Sequence, residues 1–209
     1  MAITLHHLNR SRSARILWLL EEASLPYTLV RYQRDSKTQL APPELLAIHP
    51  LGKSPVIEDD GRVIAESGAI VEYLIQRYAR HLAPDVDDPA YAEYLQWIHF
   101  AESSAMLPVL MRIFNGFEKN SGTQLNFLET YADNEFSKVF AFIEKTLEKT
   151  SYLVGNKLTG ADIMLGFTLD TALASVPAGE DYPAIRRYTE RLKQCKSWLR
   201  AANIEEQKE

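Results

Sequence analysis

The sequence predicts two domains of different class: an α+β domain of order βαβαββα over residues 1–80, then an all-α helical bundle over residues 89–209, joined by a linker at 81–88. Three observations carry this division. Short β-rich runs alternate with helical spacing in the first 80 residues. The junction gathers Pro84, Asp85, Asp87 and Asp88, which suit a linker. Everything after Pro89 reads helical.

Ile3-Thr4-Leu5-His6 reads as the first strand. Ser13 to Ala23 follows as an amphipathic helix with Ile16, Leu19, Leu20 and Ala23 on one face. Pro26 breaks the chain before a second strand, Tyr27 to Tyr32. Residues 34–41 form a polar loop, and Pro43 to Ile48 a short helix with proline near its start. Val56-Ile57-Glu58 and Val63-Ile64-Ala65 flank Asp60-Gly61, a hairpin signature. Ser67 to Tyr78 is helical, burying Ile70, Val71, Leu74, Ile75 and Tyr78. A parallel βαβ unit closed by an antiparallel hairpin gives a small mixed sheet with helices packed on it. The remainder reads as helices from Pro89 to about Phe114, Leu125 to Lys149, Gly160 to Ala174 and Tyr182 to Gln194, with a frayed tail from Ala201.

The 209 residues are 46% hydrophobic and 24% charged, which excludes a disordered or collagen-like chain and suits two buried cores. A net charge of −5 without a basic run argues against nucleic acid as a partner. One cysteine, Cys195, forbids an internal disulfide or a CxxC site. The five histidines show no metal spacing, so no metal is expected. His6 and His7 are adjacent on a strand and point to opposite faces. No apolar run approaches the ~20 residues of a membrane span, and none near the N-terminus has signal length. A cytoplasmic protein without a membrane partner is expected. The anchors of dinucleotide, NTP, zinc-protease and serine-hydrolase sites (GxGxxG, the P-loop, HExxH, GxSxG) do not occur.

Three loops carry candidate chemistry. Asn9-Arg10-Ser11-Arg12-Ser13 lies between the first strand and first helix. One serine there suits a helix cap, and a hydroxyl at the positive end of a helix also suits a bound anion. Both roles coexist if Ser13 caps and Ser11 donates. Leu51-Gly52-Lys53-Ser54-Pro55-Val56 leads into the hairpin; Pro55 is a candidate cis proline, and Ser54 is placed to offer its backbone to an extended peptide. Glu66-Ser67-Gly68-Ala69-Ile70 opens the third helix. Its acid suits an α-amino group, and its hydroxyl, read as an N-cap, suits a carboxylate. Together they describe a pocket for a small zwitterionic peptide with its reactive end near Ser11. A fourth motif, Thr159-Gly160-Ala161-Asp162, has capping-box spacing with Asp in place of Glu and is structural.

On these four motifs, with Arg15 four residues after Ser11, the chain resembles the soluble glutathione transferases from end to end, in their serine-type microbial branch. The resemblance implies a thioredoxin-like N-terminal glutathione-binding domain and an all-helical C-terminal domain. It matches Ser11 to the serine that activates the glutathione thiol, with Ser13 as the alternative. It matches Lys53 to the glycyl end, Ser54 to the backbone partner of the cysteinyl part, and Glu66 and Ser67 to the γ-glutamyl site. No cysteine or tyrosine occupies the Ser11 loop, which sets the chain apart from the cysteine-type and tyrosine classes. The implied activity is a detoxifying transferase with glutathione as co-substrate, attacking a hydrophobic electrophile and also reducing organic hydroperoxides. Candidate electrophile-lining residues are Phe100, Ser103, Ser104, Met106, Leu107, Met111 and Phe114. A homodimer is implied. The rival reading is a non-catalytic glutathione-binding module of the same fold, regulatory or assembling.

Overall fold

The computed structural model describes residues 2–175 and 181–207. The chain divides into two units, one of Met1–Leu82 with Lys193–Glu209, the other of Ala83–Leu192.

The first unit begins βαβαββα. Its elements are β1 (Ile3–Leu8), α1 (Ser13–Glu22), β2 (Tyr27–Tyr32), the single turn α2 (Leu45–Ile48), β3 (Val56–Asp59), β4 (Arg62–Ala65) and α3 (Ser67–Tyr78). The sheet runs in the order β2-β1-β3-β4. β1 lies parallel to β2 (Ile3 opposite Tyr27) and antiparallel to β3 (His6 opposite Val56). A strand paired on both edges and packed against α1 is buried, and Ile3, Leu5 and Leu8 are. From α1, the predicted Ile16, Leu19 and Leu20 are inside together with Leu17; from α3, so are Ile70, Val71, Leu74 and Ile75. Each such side chain stabilises the fold by about 1.5–3 kcal/mol relative to exposure. In the β3–β4 turn Asp60 and Gly61 both have positive φ, 48° and 81°, as a type I′ hairpin demands.

The second unit is helical: α4 (Tyr91–Phe100), α5 (Met106–Asn120), α6 (Asn126–Leu147), α7 (Gly160–Ser175) and α8 (Pro183–Lys193). The sequence predicts one unbroken helix to Phe114. Instead Ala101–Ala105 form a wider π-helical turn, and the Met106 N–H reaches back five residues to the Ala101 carbonyl. Pro108 explains the widening. It has no N–H for the ladder, and its ring would clash with the carbonyl four residues earlier. The buried Thr168 hydroxyl donates to the same Ala101 carbonyl at 3.3 Å. α7 is buried nearly all round, as its weak amphipathicity requires of a central helix. The first amides of α8, at Ala184 and Ile185, donate to the Glu144 carboxylate of α6 at 2.7 and 2.9 Å.

The C-terminal segment departs from expectation. Read from sequence as the end of the 89–209 domain with a frayed tail, it forms α9 (Lys196–Glu206) and packs on α1 in the first unit. The Trp18 indole donates to Ser197 Oγ at 3.0 Å, Trp18 and Trp198 meet edge to face, and Arg200 donates to Glu21 Oε2 at 2.7 Å. Arg31 donates to the Ile204 carbonyl at 2.6 Å. These are polar and aromatic contacts, with only Ser197 and Ala201 of the helix buried, so no apolar stripe announces them. Residues 208 and 209 of the predicted tail lie outside the described residues.

Candidate functional site

Strand register brings the three loops to one end of the sheet. The Ser11 loop leaves the C-terminal end of β1. Ser54-Pro55 precedes Val56, which pairs with His6 of β1 on one side and Ala65 of β4 on the other. Glu66 and Ser67 follow Ala65 directly. All three segments therefore stand at the same end of the sheet, where α1 and α3 also present their N-terminal, positive ends. Two hydroxyls tie the first two loops together. The Leu8 N–H is shared between Ser13 Oγ at 3.2 Å and Ser54 Oγ at 3.3 Å, and Ser54 Oγ donates to the His6 carbonyl at 3.0 Å.

In the first loop Arg10 has φ 49°, an uncommon conformation for a side-chain-bearing residue, and its N–H donates to Glu205 of α9 at 3.2 Å. The turn that follows reverses the capping roles expected of the serines. Ser11 Oγ accepts the Ser13 N–H at 3.2 Å, while Ser13, the first residue of α1, makes no capping bond. Ser13 Oγ instead meets Ser11 Oγ at 2.8 Å and His7 Nδ1 at 2.8 Å. Ser13 is wholly buried, and Ser11 is 6% exposed. Both serines are buried, and Ser11 is the less buried of the two candidates.

The second loop turns at Gly52. Its φ is +56°, and a Cβ there would sit 2.7 Å from Leu46 Cδ2, so both conformation and space require glycine. Lys53 beside it is exposed, and the Ser54–Pro55 bond is cis.

In the third loop, Glu66 rather than Ser67 occupies the N-cap position of α3, with φ 71° and no side-chain cap bond. Ser67 is the first helical residue. Its Oγ is buried, the residue being 3% exposed, and has no hydrogen-bond partner. A buried hydroxyl without a partner costs about 1–3 kcal/mol. Here it stands at the positive end of a twelve-residue helix, beside an exposed carboxylate and a strained backbone. That combination suits a ligand carrying both an ammonium and a carboxylate group.

Two side chains that sequence reasoning left aside belong to this region. His7 is buried behind Ser13; burial, then the charge of Arg31, lowers its pKa from 6.5 to about 4, so the ring is neutral at neutral pH. Glu205 arrives from the far end of the chain, its Oε1 3.8 Å from His7 Nε2. A lone histidine in a strand and an acid in a charged tail give no local signal. On the opposite face of β1, His6 is held by Tyr32 OH at 2.9 Å and Glu58 Oε1 at 2.8 Å, a structural clamp.

Within the helical unit, an open groove of about 350 Å³ is lined by Phe100, Ser103, Ser104, Leu107 and Met111 among the predicted lining residues, with Tyr131, Lys138 and Phe142 opposite them. Met106 is instead packed in the core, and Phe114 is exposed outside the groove. Among the described residues, no group of three His, Cys, Asp or Glu could hold a metal ion, and no helix is long and apolar enough to cross a membrane.

Comparison with known proteins agrees with this geometry. Residues 1–76 match the family model "Glutathione S-transferase, N-terminal domain", and residues 105–194 match "Glutathione S-transferase, C-terminal domain". The chain is 34% identical to Glutathione S-transferase 1 of Saccharomyces cerevisiae, covering 89% of this chain and 88% of that protein. It is 32% identical to elongation factor 1-gamma of Danio rerio, over 70% of this chain and 33% of that longer protein. A solved glutathione S-transferase from Actinobacillus pleuropneumoniae superposes with a TM-score of 0.86 at 37% identity, covering 97% of this chain and 92% of its own. With a βαβαββα sheet domain, a helical unit and both family models matched in order, the chain belongs to the glutathione S-transferase family.

Proposed function

We propose that the chain is a glutathione transferase that binds glutathione across the three loops of residues 1–80, activates its thiol at Ser11, and directs the thiolate at a hydrophobic electrophile. The convergence of Ser11, Ser54 and Ser67 at one end of the sheet carries this reading. Glu66 and Ser67 hold the γ-glutamyl end, the Ser54 backbone pairs with the cysteinyl part, and Lys53 meets the glycyl carboxylate. A free thiol with pKa near 8.5 is mostly protonated at neutral pH, so rate depends on favouring S⁻. The Ser11 hydroxyl and the positive end of α1 both do so. The thiolate then forms a C–S bond with the electrophilic carbon of an aryl halide as the C–halogen bond breaks and halide leaves. With a hydroperoxide it attacks an oxygen, and the O–O bond breaks to release the alcohol. A second glutathione converts the resulting sulfenic acid to glutathione disulfide and water. Turnover of glutathione with a generic aromatic halide, and with cumene hydroperoxide, is the test.

The likeness to elongation factor 1-gamma favours one second reading: a module of this fold that keeps the peptide site without turnover. Glutathione binding with no turnover on either substrate class would support it over the transferase.

Ser67→Ala is expected to weaken glutathione binding about 5- to 150-fold, the equivalent of about 1–3 kcal/mol for a carboxylate left short of a donor. Isothermal calorimetry reads this directly, and unchanged affinity sinks the γ-glutamyl assignment. The protein acts as a cytoplasmic homodimer in this reading, in keeping with the common twofold assembly of such chains. Sedimentation at micromolar concentration is expected to show twice the 23.8 kDa chain mass; a monomer counts against it.

A further inference from the structure

The hydroxyl assigned above to the glutathione sulfur is the less buried end of a hydrogen-bonded chain, Ser11 Oγ to Ser13 Oγ at 2.8 Å, then Ser13 Oγ to His7 Nδ1 at 2.8 Å. A serine oxygen has one proton and two lone pairs. The Leu8 N–H occupies one lone pair of Ser13 Oγ. One lone pair and one proton then remain for His7, Ser11 and the Leu8 carbonyl, which lies at 3.2 Å. The position of the imidazole proton decides the outcome. With the proton on Nδ1, both Ser13 lone pairs are filled, and the Ser11 proton must point away from Ser13. With the proton on Nε2, Ser13 donates to Nδ1 and accepts from Ser11, whose proton is then held inward.

We propose that His7 is a positioning residue for the Ser11 hydroxyl: through Ser13, its Nδ1–H tautomer turns the Ser11 proton outward to the glutathione sulfur, and its Nε2–H tautomer withdraws it. This rests on the assignment of Ser11 as the thiolate donor. The groups facing the ring are Ser13 from α1, Arg31 from β2 and Glu205 from α9. The Glu205 carboxylate, 3.8 Å from Nε2, favours a proton on that nitrogen and therefore the inward arrangement. An anion in front of Ser11 favours the other, because it completes a donor chain from Nδ1–H through both hydroxyls to S⁻. Hydrogen bonds aligned in this way strengthen one another. The ring neither takes nor gives up a net proton; its low pKa keeps it neutral throughout.

The test uses the whole chain with ¹⁵N-labelled histidine, the His7 signals being assigned by their loss in His7→Asn. Added glutathione, above the pH at which its bound thiol ionises, is expected to shift the His7 nitrogens toward the Nδ1–H pattern. S-Methylglutathione, which has no thiolate, is expected to leave them near the free-protein pattern. Thiolate absorbance titration runs beside it. His7→Leu is expected to raise the bound thiol pKa by about half a unit to one unit and lower kcat about 3- to 10-fold, with KM for glutathione unchanged. His7→Asn, whose amide still donates, is expected to recover most of both. His7 nitrogens indifferent to glutathione overturn the proposal, even if His7→Leu fails to fold. A thiol pKa raised by Ser11→Ala but untouched by His7→Leu overturns it while leaving Ser11 in place. A pKa untouched by Ser11→Ala removes the Ser11 assignment and this proposal together.

Discussion

Ser11→Ala is expected to raise the pKa of bound glutathione and to lower turnover roughly 10- to 1,000-fold, the loss that follows removal of one donor from a resident or developing anion. Each unit of thiol pKa corresponds to about 1.4 kcal/mol of differential stabilisation. Affinity for glutathione changes little, because the contacts proposed at Lys53, Ser54, Glu66 and Ser67 remain. Some stability is lost too, about 1 kcal/mol, since Ser11 Oγ accepts the Ser13 N–H at the start of α1. The neighbouring serine separates the roles. Ser13 is wholly buried, so it meets a bound sulfur only through Ser11. Ser13→Ala is expected to cost about 1–3 kcal/mol of stability, the range for breaking a buried hydrogen-bonded hydroxyl, and to raise the thiol pKa less than Ser11→Ala does. Thiolate absorbance titration of both variants decides it. A larger pKa rise in Ser13→Ala would reverse the assignment. No rise in either would give thiolate stabilisation to backbone donors or to an arginine.

The largest stability effect is expected at Asp162. Its carboxylate is fully buried and accepts four hydrogen bonds: from Leu153 N at 2.9 Å, Thr159 N at 2.8 Å, Thr159 Oγ1 at 3.0 Å and Tyr188 OH at 2.7 Å. Burial raises the Asp162 pKa from its ordinary value, and those four donors pull against the rise. The residue joins the 153–159 loop, the start of α7 and the middle of α8. Asp162→Ala strands all four donors in the interior and is expected to cost about 3–5 kcal/mol. For a chain of this size that lowers the melting temperature by roughly 10 °C. Asp162→Asn keeps one acceptor and turns an amide N–H toward donors, so an intermediate loss is expected. Denaturant unfolding measures both, and a loss below about 1 kcal/mol in Asp162→Ala would show that water replaces the carboxylate.

Local patterning made most of the fold legible. Strand alternation, the Asp60-Gly61 turn and the apolar stripes of α1 and α3 are all set within a few residues, and the structure places those elements where the pattern does. Thr159 and Asp162 were legible as a capping pair. The same spacing did not disclose Leu153 or Tyr188, which come from elsewhere in the chain. Ser11, Ser54 and Ser67 were legible as candidates because each sits in a short motif at the mouth of a helix or strand.

What only the tertiary structure decided is how those candidates work. The positive φ of Arg10 and Glu66 carries no local signature, since neither is glycine or asparagine. That Ser11 rather than Ser13 accepts the helix amide goes with the Ser13 contact to His7, which follows from α1 packing on β1 rather than from spacing. The place of α9 depends on Trp18 and Glu21 of α1, about 180 residues away in the chain, and it brings Glu205 to the ring. A sequence pattern reports the period with which side chains leave one element. Which buried proton or carboxylate meets which hydroxyl is settled only when elements remote in the chain pack together, because hydrogen bonds act over about 3 Å and have direction.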